Sequence, residues 1–392
     1  MEIALVIAGV LCFVAASISS AGGIGGGGLF IPILKIVAGF DLKKASSFSA
    51  FMVTGGSIAN VVCNMVLMKR SKNGGHMLID YDIALLSEPC ILLGVTIGVI
   101  LNVVFPEWLI TVLFALFLAW CTTKTCNSGI SYWKVESEVV RRSLCENGKD
   151  ERSIEVPLLR ENSKSKLLCV PWIKLGILIM IWVSFLLLNL LRGNKYGQGI
   201  IIMESCGVGY WIITSIQIPL AIIFTAWILC SGKILQPQGF IDQDVEGRAI
   251  LTQLMFPVMA LLAGVLGGVF GIGGGMLISP LLVQVGIPPE ITAGTCSFMV
   301  FFSSTMSAIQ YLLLGMEHFY NASIFAVICF AGSLIGLLVV QRAIERHGRA
   351  SLIVFSVGLV MALSTVLITS FGAYDVWMDY TSGKYMGFKQ PC

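Results

Sequence analysis

Charge is what this chain has least of. Asp, Glu, Lys and Arg make up 12% of its 392 residues, about half of the roughly 25% usual in soluble domains. That scarcity excludes an ordinary solvated globule. The basic excess is small, a formal net charge of +3, and the basic residues lie mostly between apolar runs, so no nucleic-acid partner is implied. Histidine is nearly missing, with His76, His318 and His347 alone. None of the twelve cysteines falls in a C-x-x-C pair, so neither a zinc site nor a disulfide framework is suggested. Cys12, Cys63, Cys90, Cys230, Cys296 and Cys329 sit inside apolar runs and read as small buried thiols. No nucleophile is tied to a base in a recognisable arrangement, so no catalytic residues, cofactor or metal are expected, and the chain does not read as an enzyme.

What is abundant is apolar sequence, 56% of residues, with a mean hydropathy of +0.89. Long apolar runs recur at about the 17–25 residues that span a bilayer as helix. The fold class expected is therefore an all-α polytopic integral membrane protein. Residues 29–39 and 276–286 are too short to cross alone at about 1.5 Å per residue. They read as second limbs of helices broken at glycines. The first 21 residues imitate a cleavable signal, but Glu2 stands where basic residues belong. A similar run, Leu254 to Val269, precedes the second glycine cluster deep in the chain, so the first segment is kept as mature protein.

Those glycine clusters are near-copies, GIGGGGLFIPIL from Gly23 and GIGGGMLISPLL from Gly271, with Pro32 and Pro280 at matching places. The correspondence continues. Lys44-Ala45-Ser46-Ser47 answers Thr292-Ala293-Gly294-Thr295, Phe51-Met52-Val53 answers Phe298-Met299-Val300, and Gly94 and Gly98 answer Gly332 and Gly336. Two related repeats are expected, at 1–125 and 250–373. Between them lie a hydrophilic cytosolic loop, 126–171, and an extra helix pair with its connecting loop, 172–249; a tail, 374–392, follows. The loop concentrates charges of both signs, and a receptor or scaffold acting through it is the alternative to a carrier.

Basic residues mark opposite turns in the two repeats: Lys69, Arg70 and Lys72 in the first, Arg342, Arg346 and Arg349 in the second. This bias suits halves of opposite orientation, provided that each glycine-broken element enters and leaves as two limbs. If each crosses once, the repeats are parallel.

Unwound backbone survives in a bilayer only where protein or a water-filled cavity satisfies its amides. Glycines then let the main chain approach a ligand, and N–H groups opening the next limb favour an anion. The loops lack the Gly-Lys-Ser/Thr ending of nucleotide sites. Candidate binding residues are Gly25, Gly26 and Gly27, Gly273, Gly274 and Gly275, with the hydroxyls Ser47, Ser49, Thr295 and Ser297. Further hydroxyls, among them Ser46, Thr54, Ser57, Ser303, Ser304 and Thr305, follow on the same helices. Hydroxyls can donate to an oxyanion without an opposing charge, and they also serve as ordinary interhelical glue. Glu88 is the acid deepest in an apolar run. It reads either as an interfacial acid near Asp80 and Asp82 or as a proton-coupling group.

The two glycine motifs, each followed by a Ser/Thr-rich helix, resemble those of the sulfite exporter TauE/SafE family. LIDYDIALLSEPCILLG (78–94), SSTMSAIQYLLLGMEH (303–318), GRASLIVFSVG (348–358) and YMGFKQPC (385–392) resemble its plant branch. The resemblance implies a multi-span anion transporter exporting sulfite or organosulfonates. Its partners would be a small sulfur oxyanion and the lipid bilayer.

Overall fold

A computed structural model describes residues 2–23, 25–70, 79–146, 172–192, 207–230, 246–274, 278–279, 282, 287–316, 318–347, 351–383 and 387–388. Among the described residues there is helix and no strand. The α-helices are α1 Glu2–Ser19, α2 Gly27–Ile36, α3 Leu42–Arg70, α4 Tyr81–Val104, α5 Glu107–Glu146, α6 Trp172–Arg192, α7 Val208–Cys230, α8 Glu246–Phe270, α9 Pro289–Leu313, α10 Phe319–His347 and α11 Ser351–Thr381. Eight of them are long and apolar enough to cross a membrane. Helix is the form a spanning segment must take, because lipid offers no partner to an open amide.

Local chemistry sets the helix ends. Asp80 caps α4, its carboxylate accepting from the N–H groups of Asp82 and Ile83 at 3.0 and 3.2 Å. Phe105, held extended before Pro106, ends the same helix. Pro289 opens α9 at its first position.

Helix α4 packs on α8, and α10 packs on α1. Gly94 and Gly98 of α4 lie against Gly264 and Gly268 of α8, where an added methyl would come within 2.9 Å of each partner's Cα. Gly332 and Gly336 of α10 lie in the same way against the backbone of Phe13 and Ser17 of α1, and Ser17 Oγ donates to the Gly332 carbonyl at 2.9 Å. Small residues spaced by four allow this close approach of helices. In both pairs the contacts ascend together, so α4 runs parallel to α8 and α10 parallel to α1. Helices α5 and α11 run antiparallel: Thr122 Oγ1 meets Thr365 Oγ1 at 3.2 Å, and Thr125 donates to Met361 Sδ at 3.5 Å. Away from these seams α1 leaves Ile3, Val6, Val10 and Val14 exposed, as a lipid-facing stripe requires.

Two expected boundaries shift. The hydrophilic stretch does not begin as a loop at 126, since α5 continues unbroken to Glu146. Its partner α11 runs alongside, with Gly129 against Phe355 and Val354 and Trp133 stacked edge-on against Phe355 at 5.9 Å. Likewise α11 carries helix through Thr381, into the expected tail. Residues 147–171, most of the limb at 276–286, the turn at Lys72 and the end at 389–392 lie outside the described residues. Among the expected buried thiols, Cys230 is exposed and Cys90 half-buried, both on the lipid-facing hairpin side, while Cys12, Cys63, Cys296 and Cys329 are buried.

The glycine seam yields a test. At Gly98 a methyl would meet Val269 N at 2.8 Å, so Gly98→Ala should destabilise by about 1–3 kcal/mol through overpacking. Gly176 of α6 has nothing within 4 Å, and Gly176→Ala should be neutral or stabilising by up to about 1 kcal/mol. Melting temperatures of the purified protein in detergent read both; equal effects would remove the seam's special role.

Candidate functional site

The chain unwinds twice, in the same way. After α1 a short 3-10 turn, Ser20–Gly22, leads into Gly23, Gly25 and Gly26 at φ of 69°, 75° and 82°. After α8, Gly271, Gly273 and Gly274 take 63°, 73° and 67°. Left-handed backbone at three matching positions costs other residues about 1–2 kcal/mol each, which is why both copies are spelled in glycine.

Each loop is held by the opposite half. Gly23 is pressed onto the Ala293 carbonyl of α9, and a methyl there would sit 2.7 Å from Ser297 Oγ. Gly271 is pressed in turn onto the Ser46 carbonyl of α3. The loops then meet. A methyl on Gly25 would stand 2.8 Å from Val53 Cγ1 and 3.3 Å from Val300 Cγ1; one on Gly273 would stand 3.0 Å from Val300 Cγ1 and 3.2 Å from Val53 Cγ1. Gly27 faces Ile272 at 2.7 Å on the same measure. The two loops thus share one small floor, Val53 and Val300, in the middle of the bundle.

Hydroxyls and amides tie this centre together. Ser303 donates to the Gly273 carbonyl at 2.8 Å, and Ser57 Oγ lies 3.5 Å from Ser304 Oγ. At the first loop Ser20 donates to Asn60 Oδ1 at 2.5 Å, and Asn60 donates back to the Ser20 carbonyl at 3.3 Å. Tyr311 donates to the Gly268 carbonyl at 2.7 Å, just before the second loop.

The expected residues divide. Gly25, Gly27 and Gly273 converge; Gly26 encloses Ser19 Oγ and the Phe30 ring, and Gly274 backs onto Ala263. Gly275 lies outside the described residues. The expected hydroxyls do not gather at the shared floor. Ser47 donates to the Lys44 carbonyl and Ser297 to the Ala293 carbonyl, each within its own helix. Thr295 accepts from the Asp80 N–H at 2.9 Å, joining α9 to the start of α4. Ser49 is fully buried, its Oγ without a partner. Ser297 meets the first loop at Gly23 and Ser19 lies beside Gly26, while Ser303 and Ser304 stand at Gly273 and Ser57 faces Ser304. A signal for two of them was present: Ser57 and Ser304 each stand four residues beyond the valine of a matched Phe-Met-Val.

Glu88 is not interfacial in packing. It is 0% exposed, and neither carboxylate oxygen has a hydrogen-bond partner. Beside the first loop a cleft lined by Gly22, Thr125, Ser128, Ser279, Thr292 and Val357 reaches inward between α5, α9 and α11. It offers hydroxyls and no charged side chain. A centre built from main-chain amides and hydroxyls suits a small anion that must also be released.

The family model for "Sulfite exporter TauE/SafE" matches residues 2–125 and 163–365. The chain belongs to the sulfite exporter TauE/SafE family. It is 63% identical to sulfite exporter TauE/SafE family protein 2 of Arabidopsis thaliana, over 99% of this chain and 87% of that one. It is 60% identical to family protein 5 of the same plant, over 99% of this chain and 88% of the relative. A shorter likeness, 29% identity over 27% of this chain and 37% of the other, joins it to the probable membrane transporter protein YunE of Bacillus subtilis (strain 168). No solved structure matches. Membership together with the eight spans makes this TauE/SafE chain a multi-pass integral membrane transporter.

The meeting of α3 and α9 can be checked directly. Ser57→Cys with Ser304→Cys, in a protein otherwise freed of cysteine, should cross-link with a mercuric ion. After cleavage at a protease site placed within 147–171, the fragments should stay joined. Separation of the fragments would move these helices apart.

Proposed function

We propose that this TauE/SafE chain is a carrier, in the export direction, of a small sulfur oxyanion, sulfite or an organosulfonate. The observation that carries the reading is the pair of glycine loops, alike at three left-handed positions and meeting over Val53 and Val300. Main-chain N–H groups from Gly25–Gly27 and from Gly273–Gly275, with the nearby Ser57, Ser303 and Ser304, would bind the oxyanion. Ser47, Ser49, Thr295 and Ser297 would line the approach. Dipoles hold an anion less tightly than a buried cation does, and a carrier must let go. The family name supports sulfite as the first substrate to try.

Its working motion follows from the halves. We take them as inverted repeats, related by an axis in the membrane plane. The antiparallel pairing of α5 with α11 and the exchange of first and fourth helices support this, as does the basic bias of the turns. Two such halves rocking about one centre open it to either face in turn. Glu88, buried without partners in α4, is proposed to carry the coupling proton.

Purified protein in vesicles should move labelled sulfite or a sulfonate. Gly25→Ala and Gly273→Ala each add strain of about 1–2 kcal/mol, hence a loss of flux of about tenfold, with folded yield retained. In the same vesicles Glu88→Gln should leave flux that no longer answers an imposed pH gradient. Absence of flux for every sulfur oxyanion tried would end the carrier reading, and an unchanged pH response would remove Glu88 from it.

Orientation has its own test. Single cysteines at Lys72 and Arg346, in a cysteine-free protein, should both be shielded from an impermeant thiol reagent in sealed cells and labelled after permeabilisation. Labelling of one from each side would mean parallel repeats.

A further inference from the structure

Most of the surface of the hairpin α6–α7 faces outward: Ile173, Met180, Leu187, Ile212, Ile222 and Trp227 are all exposed. One charged group runs against this pattern. Arg192, the last residue of α6, is 4% exposed, with neither Nε nor Nη1 hydrogen-bonded. Its guanidinium lies over the Tyr210 ring of α7 at 5.0 Å. An ion pair lies elsewhere on the same helix, Lys174 with Asp82 at 2.5 Å. That pair marks the opposite end of α6, about 27 Å away at 1.5 Å per residue.

The surroundings of Arg192 are polar. One turn earlier Asn189, fully buried, donates to the Phe185 carbonyl at 2.9 Å and approaches Met306 Sδ of α9 at 3.5 Å. Gln217 of α7, also fully buried, donates to Asn189 Oδ1 at 3.4 Å. These side chains sit where a lipid-facing hairpin meets the bundle. A buried guanidinium with free Nε and Nη1 donors and, among the described residues, no carboxylate beside it is costly unless an anion completes it, and its planar donors suit the oxygens of a phosphate-type group.

We infer that Arg192, stacked on Tyr210, is the anchor of a second oxyanion site, separate from the glycine centre and at the end of the hairpin opposite Lys174. The site takes a phosphate-like oxyanion, supplied by the headgroup of an anionic lipid or by solution.

Binding can be read without transport. Delipidated protein in neutral detergent is melted with added inorganic phosphate against chloride of equal ionic strength, and separately with phosphatidylglycerol against phosphatidylcholine. Phosphate or phosphatidylglycerol should raise the melting temperature of the unaltered protein, and which of them does so identifies the source. Arg192→Gln should shift half-saturation by about tenfold or more, and Tyr210→Leu, which leaves the charge, by a smaller factor. Gly25→Ala, which alters the other site, should leave this response unchanged. If neither probe stabilises the unaltered protein, or if Arg192→Gln and Tyr210→Leu both respond like it, the site does not exist. Should Arg192→Gln fail to fold, the unaltered protein and Tyr210→Leu still decide the question.

Discussion

Backbone close approach at glycine is the constraint on which this structure depends. Inside a bilayer an unwound segment must find protein partners for its amides. Here the Gly23 and Ile272 N–H groups are satisfied locally, by the Ser20 and Gly267 carbonyls, and the loops are packed from across the bundle, Gly23 against the Ala293 carbonyl and Gly271 against the Ser46 carbonyl. The same device fixes the helices. Gly94 and Gly98 seat α4 on α8, and Gly332 and Gly336 seat α10 on α1. A methyl at any of these places meets backbone, which cannot swing aside as a side chain can. The halves are therefore interlocked rather than apposed, and the two loops are delivered to one place.

That place is polar without being charged. Ser303 on the Gly273 carbonyl, Ser57 beside Ser304 and Ser20 with Asn60 consume hydroxyl and amide groups in holding the loops. The ion pair of Lys174 with Asp82 stands away from it, at the starts of α6 and α4. A lysine or arginine at the centre would attract an oxyanion more strongly and release it more slowly. In the proposed carrier, weak, numerous dipoles are what lets an oxyanion go again.

Asymmetry enters through α6 and α7. The hairpin lies against α4, where Cys90 Sγ and Thr225 Oγ1 are 3.6 Å apart, and against α9, where Trp182 donates to the Phe302 carbonyl at 3.2 Å. Helices α1 and α10 carry no such covering. One side of the bundle is thereby braced and the other left to the lipid, so the two halves do not move in equal surroundings. Glu88 belongs to the braced side as well, on α4, and the matching place on α10 is Ala326.

The sequence by itself determined the class of molecule, because lipid imposes its demands locally: run length, scarcity of charge and the glycine breaks are all read along the chain. It also determined that the breaks come twice in the same spelling, since left-handed backbone at matching positions admits little but glycine. It did not determine which hydroxyls meet the loops. Ser47 and Thr295 lie closer in sequence to the glycines than Ser304 does, yet Ser304 packs at Gly273 while Ser47 is bound to its own turn and Thr295 to Asp80; Ser297 reaches the first loop at Gly23. Nor did it mark Arg192 as buried, for a basic residue at the end of an apolar run reads as an ordinary boundary. In a membrane chain nearly every helix face is apolar, so periodicity does not separate the lipid side from the protein side. Only the packing of one helix against another, decided by where backbones can touch, chose the faces that look inward.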